Sequence, residues 1–556
     1  MTRMNAQGGK GMSEQRQGGA KGSWGVLMAF LALTQIGLVA DNILLTNAMS
    51  AIAGSLHATV SDLQIANLIY PLISAPVMVA AGILGGALGW RTLLIAGLAI
   101  VVVAETLASV STNIHFFNYA ARTLVGVGAG LCIPAVLGYI TDNFSRARMA
   151  TSFALISASV ALSAALAPVG SGFVVMYLSW QAGFLMLAGL FVLCLLGFFL
   201  FAPREAATGS LARFDVTGFI LLFAGLTTVL LALSKASAWG VFFANSQAPF
   251  SLYHLSPCLF LVLAGVAVLF FFMRYEQKRE RTYGKDAVLL RCALLTTPGI
   301  RAGLFMTGFY YYLAMGAAFI LVLYLQIVLK YDAVISGVIF AVVSVGMIAG
   351  SLLTPKFGRN VSLRGISLAG IALSIASTLL IVAAIGPDGF SFWLYVGSFF
   401  MGVGSGMVTA ESPCAVTTAI EDAFHDKQLA GQSSGAQGAA RNVGQALGLA
   451  LAGLALGVGL TTFTRTEILK NKSFPPSVDN LSRMVDSMAF VVDDNVRAFL
   501  KKRNIEEQYV EEIVAEYNKG RIFSVRASLL LLAVGGALFL FPAMSLTRRK
   551  LKDMRD

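Results

Sequence analysis

Chemistry in this chain can begin only where an ionisable side chain interrupts an apolar run, and four residues stand out: Asp41, Glu105, Arg122 and Glu411. A charge at the centre of a bilayer costs roughly 2.5–3.5 kcal/mol on insertion scales, so each is a functional candidate. Asp41 and Arg122 are the sharpest combination. A carboxylate beside a guanidinium can be tuned to take up and release a proton, the alternative being a static ion pair that fixes two helices. Glu411, close to Pro413, is a candidate for binding a cation or a proton, against a carboxylate that snorkels from a helix end. Glu105 reads first as structural. Tyr310, Tyr311 and Tyr312 could stack on an aromatic or cationic solute. Consecutive helical residues point in different directions, so at most one or two of them face one cavity.

Other chemistries find little support. The five cysteines lack metal-type spacing and sit in or beside apolar segments, where they read as small buried residues. The four histidines fall in loops or near span ends. No phosphate-binding Gly-Lys loop, metal cluster or nucleophile–base pair is legible, so neither an enzyme nor a bound cofactor or metal is expected.

The elements that must position these residues are membrane spans. The chain has 556 residues, 57% of them hydrophobic and 12% charged, with a mean hydropathy of +0.77; a soluble chain would carry about 25% charged residues. A spanning helix needs about 20 mostly apolar residues. On that basis spans fall at 24–50, 62–86, 92–110, 116–141, 149–176, 181–202, 215–235 and 252–274. Six more follow at 299–328, 333–356, 364–385, 391–419, 431–462 and 522–546. With a rise of ~1.5 Å per residue, Asp41 and Arg122 come to similar depth in neighbouring regions of spans one and four.

The net charge of +12 does not indicate nucleic acid, because the basic residues lie in short loops between spans and not on one face. Their distribution places both termini in the cytoplasm. Residues 464–521 then face outward, alternate apolar and charged residues, and are expected to form short amphipathic helices. Residues 1–23 are expected to be a disordered cytoplasmic terminus and 547–556 a basic cytoplasmic tail. Between them we expect a six-helix bundle over 24–202, two inserted helices over 203–298, and a second six-helix bundle over 299–546. One device occurs twice. GILGGALGWR runs from Gly82 through Gly89 to Arg91, and GSLLTPKFGR from Gly350 through Gly358 to Arg359. Such internal repetition is usual in secondary transporters with a midplane site.

At these residues the chain resembles the major facilitator superfamily, specifically its fourteen-helix drug:proton antiporter branch. Gly82, Leu84, Gly89 and Arg91 fit the family's loop motif, although Gly86 and Ala87 stand at its acidic and first basic positions, which leaves a packing role. RTLVGVGAG, containing Arg122, Gly126 and Gly130, is similar to the family's span-four motif. SAALAPVGSG, containing Pro168 and Gly172, is similar to its antiporter motif, and DNILLTNAM at Asp41 to a span-one motif. Gln64 and Tyr70 match the opening of the next span. YLQIVLKYDAVISG (Tyr324 to Gly337) and GAARNVGQALG (Gly438 to Gly448) are similar to later segments of the branch.

The resemblance implies an all-α membrane protein of two six-helix bundles plus two inserted helices. It further implies proton-driven export of small amphipathic or cationic compounds by alternating access across the inner membrane. Asp41 and Arg122 would couple the proton; Glu411, Tyr310, Tyr311, Gln64 and Tyr70 would face the solute; the motif glycines would serve packing and gating. A periplasmic adaptor leading to an outer-membrane channel is a plausible partner for the 464–521 segment. The rival readings are an exporter of an endogenous metabolite or siderophore and a non-transporting membrane receptor. Topology gives the first test. A reporter active only in the cytoplasm should work at both ends of the chain and after Lys285, and fail between Asp479 and Asn480; activity at that last site would remove the final outward loop.

Overall fold

The computed structural model describes residues 20–548 except 58–59, 204–214, 245–247, 285–287, 332, 358–359, 388–390, 425–426, 471–495, 498–499 and 502–506. Among the described residues, fourteen helices are long and apolar enough to cross a membrane. In a bilayer every backbone polar group must be satisfied within the segment, which leaves helices as the building unit for such runs. They are α1 (Ala20–Ser55), α2 (Val60–Leu88), α3 (Trp90–Ser109), α4 (Ile114–Asn143), α5 (Arg146–Tyr177), α6 (Trp180–Phe201) and α7 (Val216–Trp239). The rest are α8 (Pro257–Tyr283), α9 (Pro298–Val328), α10 (Ala333–Phe357), α11 (Leu363–Ala384), α12 (Phe392–Phe424), α13 (Lys427–Lys470) and α14 (Glu507–Ala537). Several starts are set by side-chain caps: Ser179 accepts from the Ala182 N–H, Asp215 from Gly218, and Ser362 from Gly365.

Helices α1, α3, α4 and α6 share one core, with Leu31, Leu98, Val125, Phe191 and Phe198 buried in it. Helices α9, α11, α12, α13 and α14 share a second, around Phe309, Ile371, Met401, Ala452 and Leu529. The two meet where α13 crosses α2: an added Cβ at Gly438 would come 2.7 Å from the Met78 sulfur. Asn442 Nδ2 there donates to Ser74 Oγ at 3.0 Å. Helix α7 lies across this junction. Its Thr227 donates to the Leu72 carbonyl, and its Leu230 packs against both Ala75 and Ala446. Helix α8 lies against α7, so the inserted pair flanks one side of the interface between the bundles.

Three expectations are corrected. The last helix begins at Glu507, not near 522, so EEQYVEEIVAEY continues α14 and is not a separate short helix. The charged residues do not end the helix because Arg521 lies over the Tyr517 ring at 4.6 Å and Arg526 Nε reaches the Ile385 carbonyl at 3.1 Å. The eighth helix likewise runs on through its basic end to Tyr283. The proposed docking segment falls largely on 471–495 and 502–506, outside the described residues. Finally, the small residues do not act alike. Gly126, Gly128 and Gly130 bring α4 close to α2 and α3, whereas a Cβ at Gly170 or Gly172 would meet nothing within 4 Å. The surrounding part of α5, including Leu166 and Phe173, stands exposed.

These glycines give a stability test. At Gly448 any Cβ would overlap the Tyr312 carbonyl where α13 crosses α9. Gly448→Val should lower unfolding free energy by about 1–3 kcal/mol in detergent, as overpacking does. Gly172→Ala should leave it unchanged or slightly raised, read from thermal unfolding followed by circular dichroism.

Candidate functional site: a buried charge cluster beside a central cavity

The site begins in α4, where the chain runs as a π-helix over Phe117–Arg122 before returning to α-helix at Thr123. A π-turn inserts an extra residue into the helical period, and such turns recur at functional sites. This one ends on Arg122 and sets the direction of its side chain. Arg122 Nη1 donates to Asp41 Oδ1 of α1 at 2.6 Å, and both residues are fully buried. The approach of α4 that allows this is made by glycine. An added Cβ at Gly126 would sit 3.0 Å from Ile73 Cβ, and one at Gly130 2.8 Å from Val77 Cγ1.

Glu105, read from sequence as structural, joins this pair. It is fully buried on α3, within electrostatic reach of both Asp41 and Arg122. Neither of its carboxyl oxygens has a donor, nor has Asp41 Oδ2, while Arg122 Nε and Nη2 remain without acceptors. Two carboxyls thus face one guanidinium in a place without water-like surroundings. Tyr70 lies on the other side of Arg122, with its ring centroid 6.0 Å from Cζ.

Near this cluster a cavity lies between the bundles, lined by α1, α4, α5, α9, α12 and α13. Phe153, Ile156 and Val160 form an apolar wall from α5. Tyr311, Gln437 and Arg441 also line it, and Arg441 Cζ lies 4.6 Å from the Tyr311 ring centroid. The three tyrosines point three ways. Tyr311 faces the cavity, the Tyr310 hydroxyl donates to the Met347 sulfur, and the Tyr312 hydroxyl donates to the Leu532 carbonyl. Thr409 and Ser412 line the cavity on α12, whereas Glu411 is buried and does not. Helical residues are about 100° apart, so neighbours of a lining residue turn elsewhere. The side chain of Gln64 lies outside the described residues.

The motif positions serve the frame. Gly89 takes φ 86° at the start of α3, a conformation that glycine adopts without strain. Arg91 donates to the Ala202 and Phe199 carbonyls at 2.9 and 2.8 Å, closing the end of α6. Gly82 is buried in α2. Asn47 of α1 donates to the Pro168 carbonyl at 3.0 Å and to Ser171 Oγ at 2.7 Å, tying α1 to α5. Gly350 leaves no room for a side chain against the Val403 carbonyl; Gly358 and Arg359 lie outside the described residues. Arg441 was hidden in the GAARNVGQALG segment, and the rule that flags ionisable groups inside spans would have found it.

Two helical bundles around a cavity, with ionisable groups buried in the spans, define a polytopic membrane transporter. The family model "Major Facilitator Superfamily" matches residues 29–280 and 254–449, and the chain belongs to that superfamily. It is 28% identical over 444 residues to the "Probable actinorhodin transporter" of Streptomyces coelicolor, covering 77% of this chain and 72% of that protein. It is 26% identical to the "Tetracenomycin C resistance and export protein" of Streptomyces glaucescens, covering 78% and 75%. It is 25% identical to the "Multidrug efflux pump LfrA" of Mycolicibacterium smegmatis, covering 80% and 82%. Among solved structures, the human organic anion transporter MFSD10 superposes with a TM-score of 0.55 at 14% identity, covering 93% of this chain and 98% of that one. The xylose symporter XylE gives the same score at 11% identity, covering 96% and 98%.

Proposed function

We propose that the protein exports small amphipathic solutes in exchange for protons, by alternating access between its two bundles. Its termini and basic loops would lie in the cytoplasm, and the solute would occupy the cavity between the bundles. The observation that carries the proton-exchange reading is the stoichiometry of the buried cluster: two carboxyls, Asp41 and Glu105, to one guanidinium, Arg122. With Arg122 held by Asp41, a second ionised carboxylate would be a buried net charge, which is costly. Neutrality is met when one proton resides on the pair of carboxyls. That proton is the exchangeable one in this reading. Loss of it leaves a net negative cluster that relaxes by exposure to one side of the membrane. Each proton entering down a ~100 mV potential would contribute about 2.3 kcal/mol to uphill export. The export direction is supported by relatives described as efflux, resistance and export proteins. A second reading, export of a compound the cell itself makes, is favoured by relatives named for single compounds.

Asp41→Asn and Glu105→Gln keep shape and remove titration. Each is expected to abolish solute-triggered proton movement in proteoliposomes while the protein remains folded and binds solute. Asp41→Glu should retain partial activity, and Arg122→Lys, which keeps the charge but loses the fork of donors, should be intermediate. Arg122→Ala strands Asp41 and should cost about 3–5 kcal/mol of stability. Wild-type proton movement in both carboxyl variants would place coupling elsewhere.

A further inference from the structure

The cavity wall holds one charge. Among the described residues that line it Arg441 alone is ionisable as a cation, and none is a carboxylate. Among the described residues Arg441 forms no ion pair; it is half-buried, and its buried Nε has no hydrogen-bond acceptor. The Tyr311 ring lies 4.6 Å from its Cζ. A guanidinium next to apolar surface is stabilised by acceptors, and beside Arg441 stands a π-face. The contrast with Arg122, which has Asp41 at 2.6 Å, is direct. Phe153, Ile156 and Val160 of α5 line the same cavity, so its lining combines an apolar part with an aromatic and cationic one.

Resting on the transporter reading above, we infer that this cavity selects planar aromatic solutes whose edge presents an acceptor oxygen to Arg441, and that it excludes cations. The ring would lie against the apolar lining that α5 contributes. A carboxylate, phenolate or carbonyl oxygen takes the guanidinium donors, which present a planar fork suited to such an edge. A cationic solute would place like charge against Arg441 in a medium that screens poorly. The substrate class narrows accordingly, from amphipathic or cationic compounds to aromatic acids and neutral aromatic carbonyl compounds.

The test uses one ring with three edges: naphthalene-2-carboxylate, naphthalene-2-carboxamide and naphthalen-2-ylmethylammonium, titrated into the detergent-solubilised full chain by fluorescence. The carboxylate and the carboxamide should each bind at least about tenfold more tightly than the ammonium, the scale of a hydrogen bond to a charged group. Arg441→Gln should bring all three within about twofold of one another. Arg441→Lys should keep the order with a smaller spread. Equal or tighter binding of the ammonium by wild type, binding of none, or an unchanged order in a folded Arg441→Gln would overturn the assignment. Proton movement in proteoliposomes separates this from the broader reading. Selective binding with no proton movement for any probe supports the Arg441 assignment and defeats proton exchange. Proton movement driven best by the ammonium defeats the assignment and leaves proton exchange standing.

Discussion

Everything in the first half of the molecule is arranged around one buried contact, the 2.6 Å ion pair between Arg122 and Asp41. A lone charge at this depth would be expelled or neutralised, so the two helices that carry the pair must be held in register. The surrounding sequence meets that demand with small residues and a local change of helical period. The π-turn over Phe117–Arg122 turns the guanidinium towards α1. Gly126, Gly128 and Gly130 bring α4 to the backbones of α2 and α3, which also brings Glu105 to the pair. The glycine motif and the charge motif thus lie on one helix, the first setting its distance to α2 and α3 and the second its contact with α1.

The two halves treat the arginines within their spans differently. Arg122 is answered by carboxyls from its own bundle. Arg521 rests on the Tyr517 ring and reaches Asn518 in its own helix. Arg441 alone faces the space between the bundles, on the helix that also forms the contact with α2. Glycines at 435 and 438 let α13 press on Met78, so Arg441 sits within two turns of the contact between α13 and α2.

Most of the spans were legible because hydropathy is a property of composition along the chain. Direction around a helix is not. FYYY offered three tyrosines of one type, and only contacts with Met347, Leu532 and Arg441 separate their roles. Glu411 and Ser412 are adjacent, yet only Ser412 reaches the cavity. Glu105 reads first as structural from sequence because hydropathy says nothing about which face of α3 turns towards Arg122. The start of α14 was missed because Glu511, Glu512 and Glu516 look like a loop to any scale that ignores pairing. In the fold Glu511 meets Arg497 at 2.8 Å and Glu516 meets Lys519 at 2.8 Å.

A solute without positive charge raises a question of coupling. A cation could expel a proton from Asp41 and Glu105 by repulsion alone, whereas an acid or a neutral carbonyl compound cannot. Electrostatics by themselves would let a proton and an anion occupy the two sites together. Exchange therefore has to act through the arrangement of the bundles: the protonated, neutral cluster and the filled cavity must each favour closure around themselves, and not both at once. Tyr70 is placed to carry that condition. Its ring lies 6.0 Å from Arg122, and its hydroxyl feels both Asp41 and Arg441. It belongs to α2, the helix that α13 presses on through Met78 and Ser74. A shift of α2 that follows protonation would move Tyr70 and change the contact beside Arg441 in the same step. In the proposed exchange, α2 is the helix that could link proton and solute, because it touches Arg122 through Tyr70 and α13 through Ser74 and Met78.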